Sequence, residues 1–339
     1  MPKVYIIIVN WNGWRDTIEC LESVFRLDYD SFRVVVCDNA SGDDSLDRIA
    51  EWASGGVTAA CSNLELKHLT SPPCHKPIPF LRIEPEDKVS MGTRNELLFL
   101  VQTGANLGFG GANNVGLRLA LSAGDIDFAW LLNNDTVVDS NALSALVDRM
   151  RQRLDAGMCG STLLYYDNPM LVQTLGGSVY NRWMARARHI GAGRNSGDRP
   201  NCDAIESRMK YVAGASMLVR RPFLEQIGLM SENYFLYFEE IDWATRARGK
   251  YSLAYAPRSV VYHKEGRSIG TSVDRAKRSS SSCYYLARSG MLFTKRYFPL
   301  ACLGVGVTLF EESLLLCSAG NKPAAKGVLR GLRDSLMGT

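Results

Sequence analysis

Near its start the chain carries an unbroken apolar run, Val4–Val9, that ends abruptly in Asn10-Trp11-Asn12-Gly13. A continuous apolar run without alternation predicts a strand buried on both faces. Ile18, Leu21, Val24 and Phe25 then recur at helical spacing and predict a helix over Arg15–Leu27. The rhythm repeats. Strand Arg33–Cys37 closes at Asp38 and is followed by helix Asp44–Trp52; strand Glu96–Val101 is followed by helix Ala112–Ala123. Strand Phe128–Leu132 runs into Asn133-Asn134-Asp135 and is followed by helix Asn141–Leu154. Buried strands alternating with amphipathic helices predict an α/β fold, a mostly parallel central sheet with helices on both faces. Ligands of such sheets bind beyond the carboxyl ends of the strands. Asn10, Asp38, Asn106 and Asp135 all stand at or just after strand ends, which places them on one edge.

Residues 54–95 break the rhythm with Pro72, Pro73, Pro77, Pro79 and Pro85, and predict an inserted loop. Its Cys61, His68, Cys74 and His75 match no common zinc spacing. The second half predicts glycine-broken strands at Met158–Tyr166, Val179–His189 and Met209–Val219, short helices at Pro222–Gly228 and Glu240–Arg248, and strand Ser252–Tyr262.

Composition narrows the class. The chain has 339 residues, 46% hydrophobic and 22% charged, which excludes a disordered, collagen-like or coiled-coil chain. A net charge of +4 is too mild to suggest nucleic acid as a partner. Nine cysteines, with no CxxC pair, fit a reducing, cytoplasmic location. The N-terminal apolar run is too short for an export signal, and no run reaches the ~20 apolar residues of a membrane span.

The final part is lopsided. Between Lys264 and Phe310 eight residues are basic, Arg267, Arg275, Arg278 and Arg296 among them, against Glu265 and Asp274. The stretch Tyr297–Phe310 is apolar apart from Thr308, is cut by Pro299 and ends at Glu311-Glu312. Two expectations stand for this basic, apolar helical extension, residues 266–339. It packs on the domain or on a second copy of the chain, or it rests on the inner face of an anionic membrane.

Several motifs carry chemistry. Asp38 closes a strand where a carboxylate can accept hydrogen bonds from a base or ribose, since Ser41 or Asp43 can cap the next helix instead. The glycine-rich stretch 104–114 fails the dinucleotide fingerprint, because Asn113 stands where its third glycine belongs. Its backbone still admits a polar ligand near Asn106 and Gly110. Asp135 is a hard oxygen ligand suited to Mg²⁺ or Mn²⁺ on phosphates. Glu239, Glu240 and Asp242 fall in the first turn of a helix among aromatics, either as dipole partners or with one of them held as a general base. His263 ends the last strand, on the edge that carries Asp135.

The order of VNWN at 9–12, DNAS at 38–41, GANLGFGGANN at 104–114, LLNNDTVVD at 131–139, GASMLVRR at 214–221 and FEEIDW at 238–243 resembles the inverting family 2 glycosyltransferases. The rhamnosyltransferase-like branch is the most similar, and the resemblance covers residues 4–265. It implies the GT-A (nucleotide-diphospho-sugar transferase) fold over 1–265. It implies a nucleotide-sugar donor held by Asn10, Trp11, Asn12, Asp38, Asn106, Gly110 and Asn113, with Trp11 stacking on the base. Asn133-Asn134-Asp135 stands where the family has Asp-x-Asp, so Asp135 and His263 would hold a divalent metal. Glu240 matches the usual base, beside Glu239 and Asp242. Two departures are visible. Asn133 leaves Asp135 as the motif's only carboxylate, which weakens the expected metal affinity, and the base is Glu rather than Asp. The implied reaction is a single displacement onto a glycan or lipid-linked acceptor hydroxyl in cell-surface polysaccharide synthesis. A sugar nucleotidyltransferase would need a basic glycine-rich loop after the first strand, which Asn10–Trp14 is not. A catalytically silent sugar-binding module is the alternative of another class.

Overall fold

The computed structural model describes residues 1–87, 95–198, 201–264 and 274–337. The first apolar run forms β1 (Val4–Asn10), with Val4, Ile6 and Ile8 in one core cluster and Tyr5 and Ile7 in another. Both faces are therefore covered, as continuous apolarity demands. The alternation continues with α1 (Trp14–Val24), β2 (Phe32–Asp38), α2 (Ser45–Ser54), α3 (Lys67–Thr70), β3 (Phe80–Ile83), β4 (Leu98–Gln102), α4 (Gly108–Ser122), β5 (Phe128–Asn133), β6 (Thr136–Val138) and α5 (Ala142–Gln152). The second half adds β7 (Ala156–Tyr165), β8 (Asn168–Leu175), β9 (Gly177–Asn181), β10 (Arg186–His189), α6 (Cys202–Glu206), β11 (Tyr211–Val212), β12 (Ser216–Arg220), α7 (Arg221–Ile227), α8 (Glu239–Ala247) and β13 (Ser252–His263). The chain ends in α9 (Ser280–Tyr297), α10 (Cys302–Ser318) and α11 (Lys322–Met337).

The main sheet runs β3-β4-β2-β1-β5-β12-β7-β13-β6, with β8 hydrogen-bonded to β7. The β3-β4-β2-β1-β5 part is parallel throughout, whereas β12 pairs antiparallel with both β5 and β7. A small antiparallel sheet, β10-β9-β11, stands beside it.

Five expectations change. The inserted segment is not all loop, since Phe80–Ile83 adds a parallel edge strand to β4. The stretch 179–189 is a hairpin turning at Trp183 rather than one strand, and 209–219 splits into β11 and β12 around Gly214. The helix expected from Ala112 starts at Gly108, so the glycines form its first turn. The apolar run expected to be too short for a membrane becomes, over Pro299–Ser318, a segment long and apolar enough to cross one by length and composition, with a mean hydropathy of 1.8. Glu265, Arg267 and the boundary expected at 265–266 lie outside the described residues.

The C-terminal helices dock through α9. The Tyr285 ring stacks on Phe235 at 4.7 Å, and Ser289 Oγ donates to the Leu236 carbonyl at 2.9 Å. Phe293 packs with Tyr234, Phe238 and Ile241, so α9 buries its apolar face against α8 and the turn before it.

Candidate functional site

The parallel strands deliver their polar ends to one edge. Asn10 and Asp38 are direct neighbours in the β1–β2 register, and Asn133 pairs with Val9 across β1–β5. Beyond that edge lies a cavity of about 1110 Å³. Trp11, Asn106, Asn133, Asn134, Asp135, Glu239, Glu240 and His263 line it. Trp11 is 42% exposed, so its ring is available as a stacking platform.

Asn10, Asp38 and Asn113 are buried behind that lining, whereas Asn12 is exposed outside it. Asp38 is buried, and its carboxylate is already occupied. It accepts from Asn10 Nδ2 at 2.7 Å, Ser41 Oγ at 2.6 Å, the Ser41 amide at 3.0 Å and Gln102 Nε2 at 3.1 Å. The helix start after it is served by Asp43, which accepts from the Ser45 amide at 3.1 Å. Asn10 passes the network on, accepting from Thr17 Oγ1 at 2.8 Å. Asn12 Oδ1 accepts from the Gly42 amide at 2.7 Å. Asn113 Nδ2 donates to the Phe109 carbonyl at 2.9 Å, inside the first turns of α4. These hydrogen bonds brace the edge on which the donor is expected. Gly110 is also not part of the lining. A Cβ there would lie 3.2 Å from Glu239 Cγ, so this glycine lets α4 approach α8.

The residue that the motif reading passed over is Asn39. Its Nδ2 donates to Asn106 Oδ1 at 2.9 Å, and its Oδ1 accepts from the Leu107 amide at 2.8 Å, holding the glycine-rich turn against β2. Gly108 has φ +71°, and a Cβ there would lie 2.1 Å from the Phe235 carbonyl oxygen. That carbonyl accepts from the Phe109 amide at 2.9 Å, so the turn before α8 hangs on the start of α4. The turn itself is strained. Tyr237 (φ 67°) and Phe238 (φ 75°) are consecutive bulky residues in the left-handed region.

That turn aims α8. Glu240 reaches the cavity beside Gly214, and burial holds its carboxyl above the usual range. Glu239 is buried with no hydrogen bond to either carboxylate oxygen. Burial, then the neighbouring Glu240 charge, push it well above the ordinary value. Asp242 does not share this setting. It is fully buried, accepts from Tyr297 Oη at 2.8 Å, Tyr234 Oη at 3.2 Å and Arg246 Nε at 2.8 Å, and ties α8 to α9. In this arrangement Asp242 acts as a strut and does not line the cavity.

Asp135 sits in the turn between β5 and β6, and its carbonyl accepts from the Lys264 amide at 3.0 Å. The Lys264 ammonium is buried and paired with Asp16 and Glu19, each at 2.5 Å, which pins the end of β13 to α1. His263 Nε2 lies 3.2 Å from Asp135 Oδ1, and His263 Nδ1 meets Gln173 Oε1 at 2.9 Å. Burial raises the Asp135 carboxyl, but the charge and hydrogen bond of His263 outweigh it and leave it below the ordinary value. Asp135 Oδ1 is buried and accepts no hydrogen bond of good geometry. When the imidazole is instead neutral, with its proton on Nδ1 toward Gln173, Nε2 turns a lone pair toward that oxygen. In that state, two electron-pair donors 3.2 Å apart suit a cation bound beside both, at ligand distances of about 2.1 Å. Among the described residues no third His, Cys, Asp or Glu joins them, so further ligands must come from phosphate or water.

The opposite wall is C-terminal. Val305, Thr308, Leu309 and Glu312 of α10 line the same cavity, with Arg186, Arg275 and Arg278 around Glu312. The sequence reading missed this wall, and its only trace was the basic count.

A mostly parallel sheet with its site beyond the carboxyl ends, closed by antiparallel strands and a carboxylate-bearing helix, is the architecture of the nucleotide-sugar transferases of GT-A type. A family model described as "Glycosyltransferase like family 2" matches residues 93–282, and "Glycosyl transferase family 2" matches residues 5–69. The chain belongs to this family. An N-acetylglucosaminyl-diphospho-decaprenol L-rhamnosyltransferase of Mycobacterium tuberculosis is 28% identical over 188 residues, 50% of this chain and 60% of that protein. The low-salt glycan biosynthesis hexosyltransferase Agl10 of Haloferax volcanii is 24% identical over 153 residues, 44% of this chain and 45% of that one. The chain thus matches less than two thirds of the length of these relatives. Among solved structures, a mannosyltransferase from Pyrobaculum calidifontis, with GDP-Man and Mn²⁺, superposes with TM-score 0.54 at 14% identity, covering 100% of this chain and 88% of that one. GalNAc-T7, with UDP, GalNAc and Mn²⁺, gives 0.52 at 15% identity, covering 77% and 43%. At that identity the likeness is one of fold.

Proposed function

We propose that the chain is an inverting glycosyltransferase that moves a hexosyl group, rhamnosyl by analogy with the mycobacterial relative, from a nucleotide-sugar to a hydroxyl of a lipid-linked or glycan acceptor in polysaccharide synthesis. The observation that carries this reading is the meeting of Trp11, the Asp135–His263 pair and Glu240 on one cavity. Trp11 would stack on the base, and Asn106, set by Asn39, would face the nucleotide. Asp135 and His263 would hold a divalent ion, Mg²⁺ or Mn²⁺, which when bound supplies positive charge against the leaving diphosphate. Glu240 takes the acceptor proton as its oxygen attacks the anomeric carbon. The bond from that carbon to the diphosphate breaks, and in-line attack inverts the centre. A carboxyl raised by burial is a stronger base than one in water, as this step requires. Glu239 and the aromatic turn keep the surroundings of Glu240 dry.

The acceptor's setting is read from α10. Its outer face leaves Leu303, Phe310 and Leu314 exposed, with Trp183 nearby under the Arg182 guanidinium at 5.3 Å. Apolar groups flanked by Trp and Arg suit the surface of an anionic membrane. Free thiols at all nine cysteines fit its cytoplasmic side.

The test is a thermal-shift panel of UDP-, GDP- and dTDP-sugars with and without Mn²⁺, followed by donor hydrolysis. A selective, metal-dependent rise in Tm with slow hydrolysis supports the transferase. Binding without hydrolysis or transfer favours a silent module. Glu240→Gln abolishes transfer and keeps the donor-induced shift; normal turnover in that variant sinks the base assignment.

A further inference from the structure

Three guanidiniums, Arg186 from β10 and Arg275 and Arg278 from one short turn before α9, converge on one carboxylate at the α10 wall of the cavity. Arg275 grips Glu312 with Nε at 2.9 Å and Nη2 at 3.2 Å, Arg278 Nη1 reaches it at 2.9 Å, and Arg186 Nη2, from β10, lies at 3.6 Å. The side chains of Arg186 and Arg275 are 47% and 41% exposed, so both can turn to an incoming anion. Planar guanidiniums of this kind pair bidentately with phosphate oxygens. The groups suited to the nucleotide come from the ends of β1, β2, β5 and β13, a different wall. The helix that carries Glu312 inward carries Leu303, Val307, Phe310 and Leu314 outward, all exposed.

From this juxtaposition we infer that Arg186, Arg275 and Arg278 form a subsite for the diphosphate of a prenyl-diphosphate-linked acceptor, with Glu312 as an internal stand-in that the diphosphate displaces. The inference rests on the proposed transfer to a lipid-linked acceptor and names the residues that recognise it. The prenyl chain leaves across the outer face of α10, and the sugar hydroxyl points inward toward Glu240.

The experiment measures binding of geranyl diphosphate, geranyl monophosphate, geraniol and inorganic pyrophosphate to the full chain by calorimetry, with UDP, GDP and dTDP in parallel. The expected order is diphosphate over monophosphate, pyrophosphate weaker than geranyl diphosphate, and no binding of geraniol. Arg186→Ala and Arg275→Ala weaken geranyl diphosphate at least tenfold and leave the preferred nucleotide within twofold. Glu312→Gln, which keeps the shape and removes the competing charge, tightens geranyl diphosphate at least threefold; a purely structural ion pair would give a loss. Equal loss of nucleotide affinity in the arginine variants would assign them to the donor's diphosphate and overturn the subsite. Geranyl diphosphate binding unchanged in both variants would overturn it as well. If no nucleotide or nucleotide-sugar binds the native chain, it is the transferase reading that fails, which separates the two.

Discussion

Gly214 lies so close against Glu240 that a Cβ built on it would stand 2.0 Å from Oε1 and 3.2 Å from Cγ. The glycine between β11 and β12 therefore leaves room for the carboxylate of the proposed base, and backbone flexibility is not the issue. Gly214→Ala must push Glu240 from its place. Misplacing a base by about 1 Å costs on the order of 10²-fold in rate. The expected outcome is a kcat lowered about 100-fold with the donor-induced thermal shift intact. A variant with wild-type kcat would remove Glu240 from the reaction.

Asp38 separates a brace from a ligand. Four donors converge on its carboxylate. Asp38→Asn turns one acceptor oxygen into a donor facing donors. The expected cost is about 1–3 kcal/mol of unfolding free energy in urea, with hydrogen bonds to a charged group lost. If Asp38→Asn keeps its stability but loses nucleotide binding selectively, the carboxylate is a donor ligand and the network is its resting state.

The parallel half was legible because continuous apolar runs specify strands buried on both faces, and because a strand end is visible as an abrupt polar break at Asn10, Asp38 or Asn133. Side-chain direction was not. Asp38 and Asn39 are adjacent in one motif, yet Asp38 turns into the bracing network and Asn39 sets the turn that lines the cavity. Glu240 and Asp242 are two residues apart in one helix turn, which points them to nearly opposite sides. The C-terminal wall escaped because the contact between Arg186 and Glu312 spans a long sequence separation that no local pattern encodes. Gln173 lies in β8, an element the sequence reading did not identify, so the partner of His263 had no signal at all.

Glu239 makes stability depend on pH with a definite sign. Burial and the Glu240 charge raise its folded pKa above the ordinary 4.5, with Asp242 adding in the same direction. Below 4.5 both folded and unfolded forms carry the proton, and the contribution is fully present. As pH rises through the raised folded value, the native state must lose that proton or hold it against the solvent, and the contribution is lost. Glu239→Gln removes the titration. The variant is expected to be more stable than wild type by about 1–2 kcal/mol near pH 8, as for a buried polar group left without a partner. The difference should shrink toward pH 5. Urea unfolding at both values checks it, and a variant less stable at pH 8 than at pH 5 relative to wild type would contradict the raised value.

The outer face of α10 gives the last prediction. Leu303 is 81% exposed and Phe310 53%, while the inner face of the helix lines the cavity. Substituting exposed positions removes little packing, so Leu303→Glu with Phe310→Glu should leave Tm within about 2 °C of wild type. The same double variant places two negative charges where an anionic surface would sit, and withdraws two apolar groups from it. Wild type is expected to float with phosphatidylglycerol vesicles and far less with phosphatidylcholine, and the double variant should stay at the bottom of the gradient. Transfer to a water-soluble short-chain acceptor should be unchanged in the variant, because neither side chain enters the cavity. If the variant floats like wild type, the membrane contact lies elsewhere. If neither floats, and sedimentation shows a wild-type dimer that the double variant breaks, a second copy of the chain covers α10 in place of lipid.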